Sequence, residues 1–433
     1  MKIAFRFILL TSALMLLSAD LSAQNDVYMR IRTESFQPVH LYMTISSSPE
    51  LQDIAGQLQT QIIDDLENSG YFRVFIVTGT DSLRYAASFP TAETDPMQNL
   101  SRAIFEGHVK LQKNSIAFET TLRGLPDDYL IFSKKFTAAL PSIRWMAHEI
   151  ADEIIYTLTG QRGTSCTKIV YIDNSKNLNL MDYNGLGGRK LTNNKSLNLS
   201  PSWAPSGEKL AFINYIKNNP ELMVFNFRSG AISRISKQKV MYSSPAWSPD
   251  GRKIAFTLTK DGNSEIYTCD AQGNNLKQLT RNAAIDTSPA WSPSGREIAF
   301  TSDRSGSPQI YIMDYGGFTT RRLTYDGNYN DSPVWSPRGD LIAFVSRGNN
   351  GFQIYSIDVY GENLQQLTDG WGSNENPSWS PDGSKLAFAS NRDGKWDIYS
   401  LRADGSDLQR LTTDGGNTLP KWSPRLSREF RVD

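Results

Sequence analysis

The chain has 433 residues, room for two or three domains, and its 45 basic and 45 acidic side chains leave a formal net charge of zero. That balance excludes bulk attraction to nucleic acid or to an anionic membrane surface as the basis of function.

Lys2 and Arg6 flank the start of an apolar stretch over residues 7–17, which ends in the small pair Ser22-Ala23. This pattern predicts a secretory signal peptide over residues 1–23, cleaved before Gln24. The stretch is too short and wrongly flanked for a membrane anchor. No cysteine stands at the cleavage point to carry a lipid, and no later run approaches the ~20 apolar residues of a spanning helix.

Residues 24–162 show no repeat and read as an α/β domain. Ser47-Ser48-Pro49-Glu50 prepares a helix whose Leu51, Ile54, Leu58, Ile62 and Leu66 fall on one face before Gly70 stops it. A second helix starts near Ser142, buries Ile143, Met146, Ile150, Ile154 and Leu158, and ends at Gly160. Strands are expected over 39–45, 71–77, 103–111, 116–123 and 129–136, so the simplest arrangement is a helix pair on one mixed sheet. Cys166 and Cys269, the only cysteines, fall far apart in this organisation and are expected to be unpaired.

Residues 163–433 are an internal repeat. Trp203, Trp247, Trp291, Trp335, Trp379 and Trp422 stand 44, 44, 44, 44 and 43 residues apart, each in a Pro-x-Trp-Ser/Ala-Pro frame. After each of the first five comes a turn glycine and a buried run such as Ile254-Ala255-Phe256 or Ile298-Ala299-Phe300. A third run follows (Gln309-Ile310-Tyr311, Gln353-Ile354-Tyr355), and a fourth ends in Leu279-Thr280, Leu323-Thr324 or their equivalents. Four short strands per period of about 44 residues predict the blades of a β-propeller. The first fragment lacks a tryptophan strand and the last has only that strand. Six blades are therefore expected, with the strand around Trp422 closing the ring as the inner strand of the first.

No Gly-x-Ser-x-Gly elbow is present, and His40, His108 and His148 all precede the propeller, so no catalytic, cofactor or metal site is expected. His148 is placed on the polar flank of its helix beside Glu149, in a structural or surface role. Asp250, Asp303, Asp382 and Asp393 sit in Gly-containing turns where Asp bonds its own backbone, rather than in calcium loops. The tryptophans, in identical register, are read as packing between blades.

What varies is the link from each fourth strand to the next tryptophan strand, over 194–200, 239–244, 282–288, 327–332, 371–376 and 415–419. These links converge on one mouth of the channel. Their Met241, Tyr242, Ser244, Asp286, Thr287, Tyr329, Asn330, Asp331, Asn374 and Glu375 are the candidate partner-binding residues, together with Ile285 and Trp371.

The stretches Asp64-Asp65-Leu66-Glu67-Asn68-Ser69-Gly70-Tyr71-Phe72 and His148-Glu149-Ile150-Ala151-Asp152-Glu153-Ile154-Ile155-Tyr156, followed by the Pro-x-Trp-Ser-Pro repeat, make the chain resemble the TolB family of the Tol-Pal envelope system. The resemblance implies a monomeric, non-enzymatic periplasmic adaptor without cofactors that supports outer-membrane integrity and cell division. Its propeller mouth would bind the outer-membrane lipoprotein Pal, with the family's contact positions falling near Met241, Ser244 and Thr287. Residues 24–35 correspond to the family's N-terminal signalling strand, which engages the inner-membrane protein TolA. An alternative of another class is an exported propeller that binds a glycan or regulates a hydrolase supplied by a different chain.

Overall fold

The computed structural model describes residues 38–77, 102–193, 196–216, 219–238 and 240–427. The expected signal peptide and the segment 24–35 lie outside the described residues.

The first unit opens with β1 (Val39–Ser47), a short 3-10 turn over Pro49–Leu51, and α1 (Gln52–Ser69). It continues through β2 (Phe72–Ile76), β3 (Arg102–Gln112), β4 (Ser115–Gly124), β5 (Tyr129–Ala139) and α2 (Ile143–Thr159). The sheet order is β2-β1-β3-β4-β5. β1 is parallel to both neighbours while β3, β4 and β5 form an antiparallel meander, so the sheet is mixed. The apolar stripe of each helix does the packing: Leu58, Ile62 and Leu66 of α1 and Met146, Ile150 and Ile154 of α2 join Phe105 and Phe118 in one core. Gly70 and Gly160 end the helices in the left-handed conformation, where a side chain is strained. Ile54 is only partly buried at the edge of this core.

The rest is six four-stranded antiparallel sheets arranged as a propeller. The second strands explain how the blades stack. In Ile254-Ala255-Phe256, alternate side chains face opposite sides: Ile254 and Phe256 pack toward the preceding blade, Ala255 under Trp291, Ile298 and Phe300 of the next. Small residues on one face receive large ones from the neighbour, so the core lies between blades. Each such buried large side chain is worth ~1.5–3 kcal/mol of transfer free energy. Indole N–H groups stitch the same seams, Trp291 to the Ala246 carbonyl at 3.2 Å and Trp379 to that of Val334 at 3.2 Å.

The ring closes as the repeat demands. Strand Thr418–Trp422 pairs antiparallel with Lys168–Ile172, Trp422 opposite Ile169, which makes it the inner strand of the first blade. The Trp422 indole donates to Thr167 Oγ1 at 2.8 Å. Cys166 and Cys269 are buried free thiols.

Every inner strand is bulged at one position. Ser200, Ser244, Ser288, Ser332, Asn376 and Leu419 have φ between 48° and 57°, each just before the frame proline. The ladder shifts register there, for example between Thr287 and Ala290. A proline without an N–H fits this bulge because the inner edge faces the channel and carries no further strand.

Candidate functional site

An inner strand runs from its link at one mouth to its tryptophan at the other, so the links share one face. The turns after the tryptophans and after the third strands share the opposite face. The 38–159 unit packs on that turn face. The Tyr183 hydroxyl donates to Asp65 at 2.8 Å, and His148 Nδ1 lies 2.6 Å from the same carboxylate. Asp182 stands 2.5 Å from Arg144, 2.7 Å from Lys168 and 3.7 Å from His148 Nε2. Asp152 accepts from the backbone of Ser165 and Cys166 and pairs with Arg425 at 3.1 Å.

His148 is therefore not on a polar flank. It is 1% exposed, because the propeller covers the side of α2 that looks polar in the helix alone. Burial pulls its pKa down, but Asp65 and Asp182 outweigh this and lift it from 6.5 to about 9. Asp182 is likewise desolvated, yet His148 and Lys168 hold it down at about 2. The imidazole is a buried cation between two carboxylates of different units.

The link face is left open, and it sorts the candidate residues into two groups. Asp286, Asn330 and Asn374, at most 1% exposed, begin their inner strands with the side chain turned into the blade. Asn330 donates to Gln309 at 2.9 Å and Asn374 to Gln353 at 2.8 Å. Asp286 accepts from Asn282 at 2.8 Å and from Arg304 at 3.0 Å. Asn198 and Asn417 fill the same position in the second and first blades. The fourth-run threonine completes the set: Thr324 donates to Gln309 at 2.8 Å and accepts from the Ile310 backbone at 2.9 Å. Tyr242 takes this place in the third blade, packed on Phe256 with its hydroxyl accepting from the Gln238 backbone. Of the candidate residues, Tyr242, Asp286, Asn330 and Asn374 thus hold the links in shape, so the expectation that these four present polar groups to a partner is corrected.

The residue one position later in each link is half-buried, and here the chemistry differs from blade to blade: Leu199, Ser243, Thr287, Asp331, Glu375 and Thr418. Asp331 accepts from Thr301 at 2.7 Å and Ser288 at 3.3 Å of the preceding blade. Tyr329 lies beside it, its ring 5.4 Å from Phe352. Burial and the Asp331 charge both push the Glu375 carboxyl up. Around this inner circle Met241, Ile285 and Trp371 are exposed, Trp371 at 80%. Tyr325 joins them, held under Arg322 at 4.6 Å, a rim aromatic that no repeat pattern singles out. Ser244 sits at the bulge just inside the mouth, half-buried. The channel itself is a cavity of about 430 Å³ walled by the bulge residues, the prolines and the tryptophan edges.

Of the turn aspartates, Asp250 and Asp382 accept from their own turn's serine and backbone as expected. Asp303 instead accepts from the Ile285 backbone of the link at 2.8 Å, and Asp393 from the Tyr399 hydroxyl at 2.6 Å. No group of three or more metal-ligating side chains occurs among the described residues.

A family model described as the TolB β-propeller domain matches residues 155–359 and 348–428. The Tol-Pal system protein TolB of Syntrophotalea carbinolica is 34% identical over 215 residues, covering 47% of this chain and 49% of the relative. That of Roseobacter denitrificans is 30% identical over 224 residues, 48% of this chain and 49% of the relative. The aligned stretch thus spans about half the length of these curated relatives. The crystal structure of TolB from Acinetobacter baumannii superposes with a TM-score of 0.73 at 24% identity, over 89% of this chain and 97% of that one. At that identity the likeness concerns the fold.

Proposed function

The chain belongs to the TolB β-propeller family, and from that premise we propose that it is a non-enzymatic periplasmic adaptor of a Tol-Pal system whose link face docks a Pal-like lipoprotein. The observation that carries the reading is the contrast within that face. Periodic buried side chains hold the backbone rigid, while the half-buried circle of Thr287, Asp331 and Glu375, with Tyr329 and Ser244, changes identity blade by blade beneath the exposed rim of Met241, Ile285, Tyr325 and Trp371. A preorganised concave surface with an aromatic rim and fixed polar groups loses little entropy on docking, which favours a protein partner. The segment 24–35 is the part assigned to a TolA-like partner, and support of envelope integrity and division follows from linking the two.

Pull-down from envelope extract with the mature protein tests this reading. Recovery of a Pal-like lipoprotein, lost when Thr287→Arg and Glu375→Arg variants replace the parent, is the expected result. Recovery of a hydrolase or a polysaccharide in its place would favour the alternative. Purified protein is also expected to show no peptidase, esterase or glycosidase turnover, and turnover abolished by a single propeller substitution would sink the adaptor reading.

A further inference from the structure

The channel wall is built from repeats, and one blade breaks the pattern. The residue just before each inner-strand tryptophan is Ser202, Ala246, Ala290, Val334 and Ser378 in five blades and Lys421 in the closing strand. Among the described residues that line the cavity, Lys421 is the sole charged one; the rest are serines, prolines, tryptophans and small apolar residues with a single asparagine. Lys421 lines the lumen and is partly accessible from it. Its carbonyl is used by the Trp203 indole at 3.1 Å, whereas its ammonium has no hydrogen-bond or ion-pair partner. The carboxylates of the mouth, Asp331 and Glu375, leave it uncompensated: burial alone sets its pKa, drawn from 10.5 down to about 8.

An unpaired ammonium in a confined space is unfavourable unless a counter-charge joins it. The five other blades place small side chains at the same point, so the lysine answers no packing need that the repeat imposes. From this geometry we propose that the central channel is an anion site, in which Lys421 holds a small carboxylate in the lumen. A monoanion matches the single positive charge. A dianion such as phosphate would bury a second charge with nothing to meet it, and a cation would face an ammonium in a wall that offers no carboxylate.

The test uses the mature protein labelled with 13C at the lysine ε carbon. The Lys421→Met variant assigns the resonance by its disappearance. Titrating pH at constant ionic strength, with and without acetate at about millimolar concentration, the Lys421 pKa is expected to rise by about one unit while surface lysines stay unchanged. Inorganic phosphate is expected to have a weaker effect. No rise in acetate, an equal rise at all lysines, or a rise with phosphate alone would each overturn the proposal. Crystals of the unaltered protein grown in bromide give an arm that does not depend on the variant folding. Anomalous density beside the Lys421 ammonium supports the anion site, and density for a cation or for water alone there counts against it.

Discussion

On the turn face of the propeller, Asp65, His148, Asp182 and Tyr183 are buried charged and polar groups paired with one another across two units. On the link face, Tyr329, Asp331 and Glu375 are groups of the same kinds, left half-buried and ringed by exposed Met241, Ile285 and Trp371. Titratable chemistry alone therefore does not mark a recognition surface. Where a polar cluster is closed over and internally matched it clamps parts of the molecule together. Where it stays partly solvated on a rigid frame it is available to another molecule. The most perturbed histidine belongs to the first kind.

The contrast between the two faces depends first on a rigid frame. Deleting Thr418 onward removes the strand paired to Lys168–Ile172 and the buried Trp422. The loss is expected to exceed the ~3–5 kcal/mol of a single large aromatic truncation, read as a drop in thermal midpoint. A truncated protein melting with its parent would refute closure by the last strand.

The clamp is sharpened by removing one of its charges. His148→Leu leaves Asp65 buried without its cation and is expected to destabilise by ~3–5 kcal/mol. The pH dependence identifies the cause. Because His148 is lifted from 6.5 to about 9, its stabilisation is complete below 6.5 and is lost as pH rises to about 9. Asp182, lowered from 3.8 to about 2, stabilises above 3.8 and loses that contribution as pH falls toward 2. Stability measured against pH should show the alkaline loss in the parent and not in His148→Leu. An identical alkaline limb in both would remove His148 from the clamp.

The smallest effect on folding, and the one specific to the open face, is that of Thr287→Arg. A bulky charge on the link face is expected to weaken lipoprotein binding by ~2 kcal/mol or more, with the melting temperature nearly unchanged. Calorimetric titration beside a melt separates the two. Parental affinity in this variant, with loss instead in changes on the outer strands at Gln278 or Gln366, would move the interface to the propeller's flank.

Within the links, register in the repeat carries information that residue type does not. Asn330, Asn374 and Asn417 recur at the blade period, and recurrence marks a scaffold position, as their buried hydrogen bonds bear out. Asp286 and Tyr242 occupy that same register with different side chains, and only their burial reveals the shared task. The following position varies from Thr287 to Asp331 to Glu375, as a surface freed from the repeat can. Lys421 is the same signal inside the channel, visible in the alignment of copies once the wall is known to be a wall.

The spacing of six tryptophans and the complementary end fragments determined the blades, their number and the closing strand, because strand alternation and turn chemistry are local and repeat in register. The helix pair was legible for the same reason, through stripes of period 3.6 ending at Gly70 and Gly160. Which polar residues are buried was decided by the tertiary structure alone. His148 lies on a helix flank that is polar until a separate unit covers it, and Tyr242, Asp286, Asn330 and Asn374 sit in links where backbone geometry turns the side chain inward. A side chain's solvation depends on what other segments do around it, and no local pattern records that.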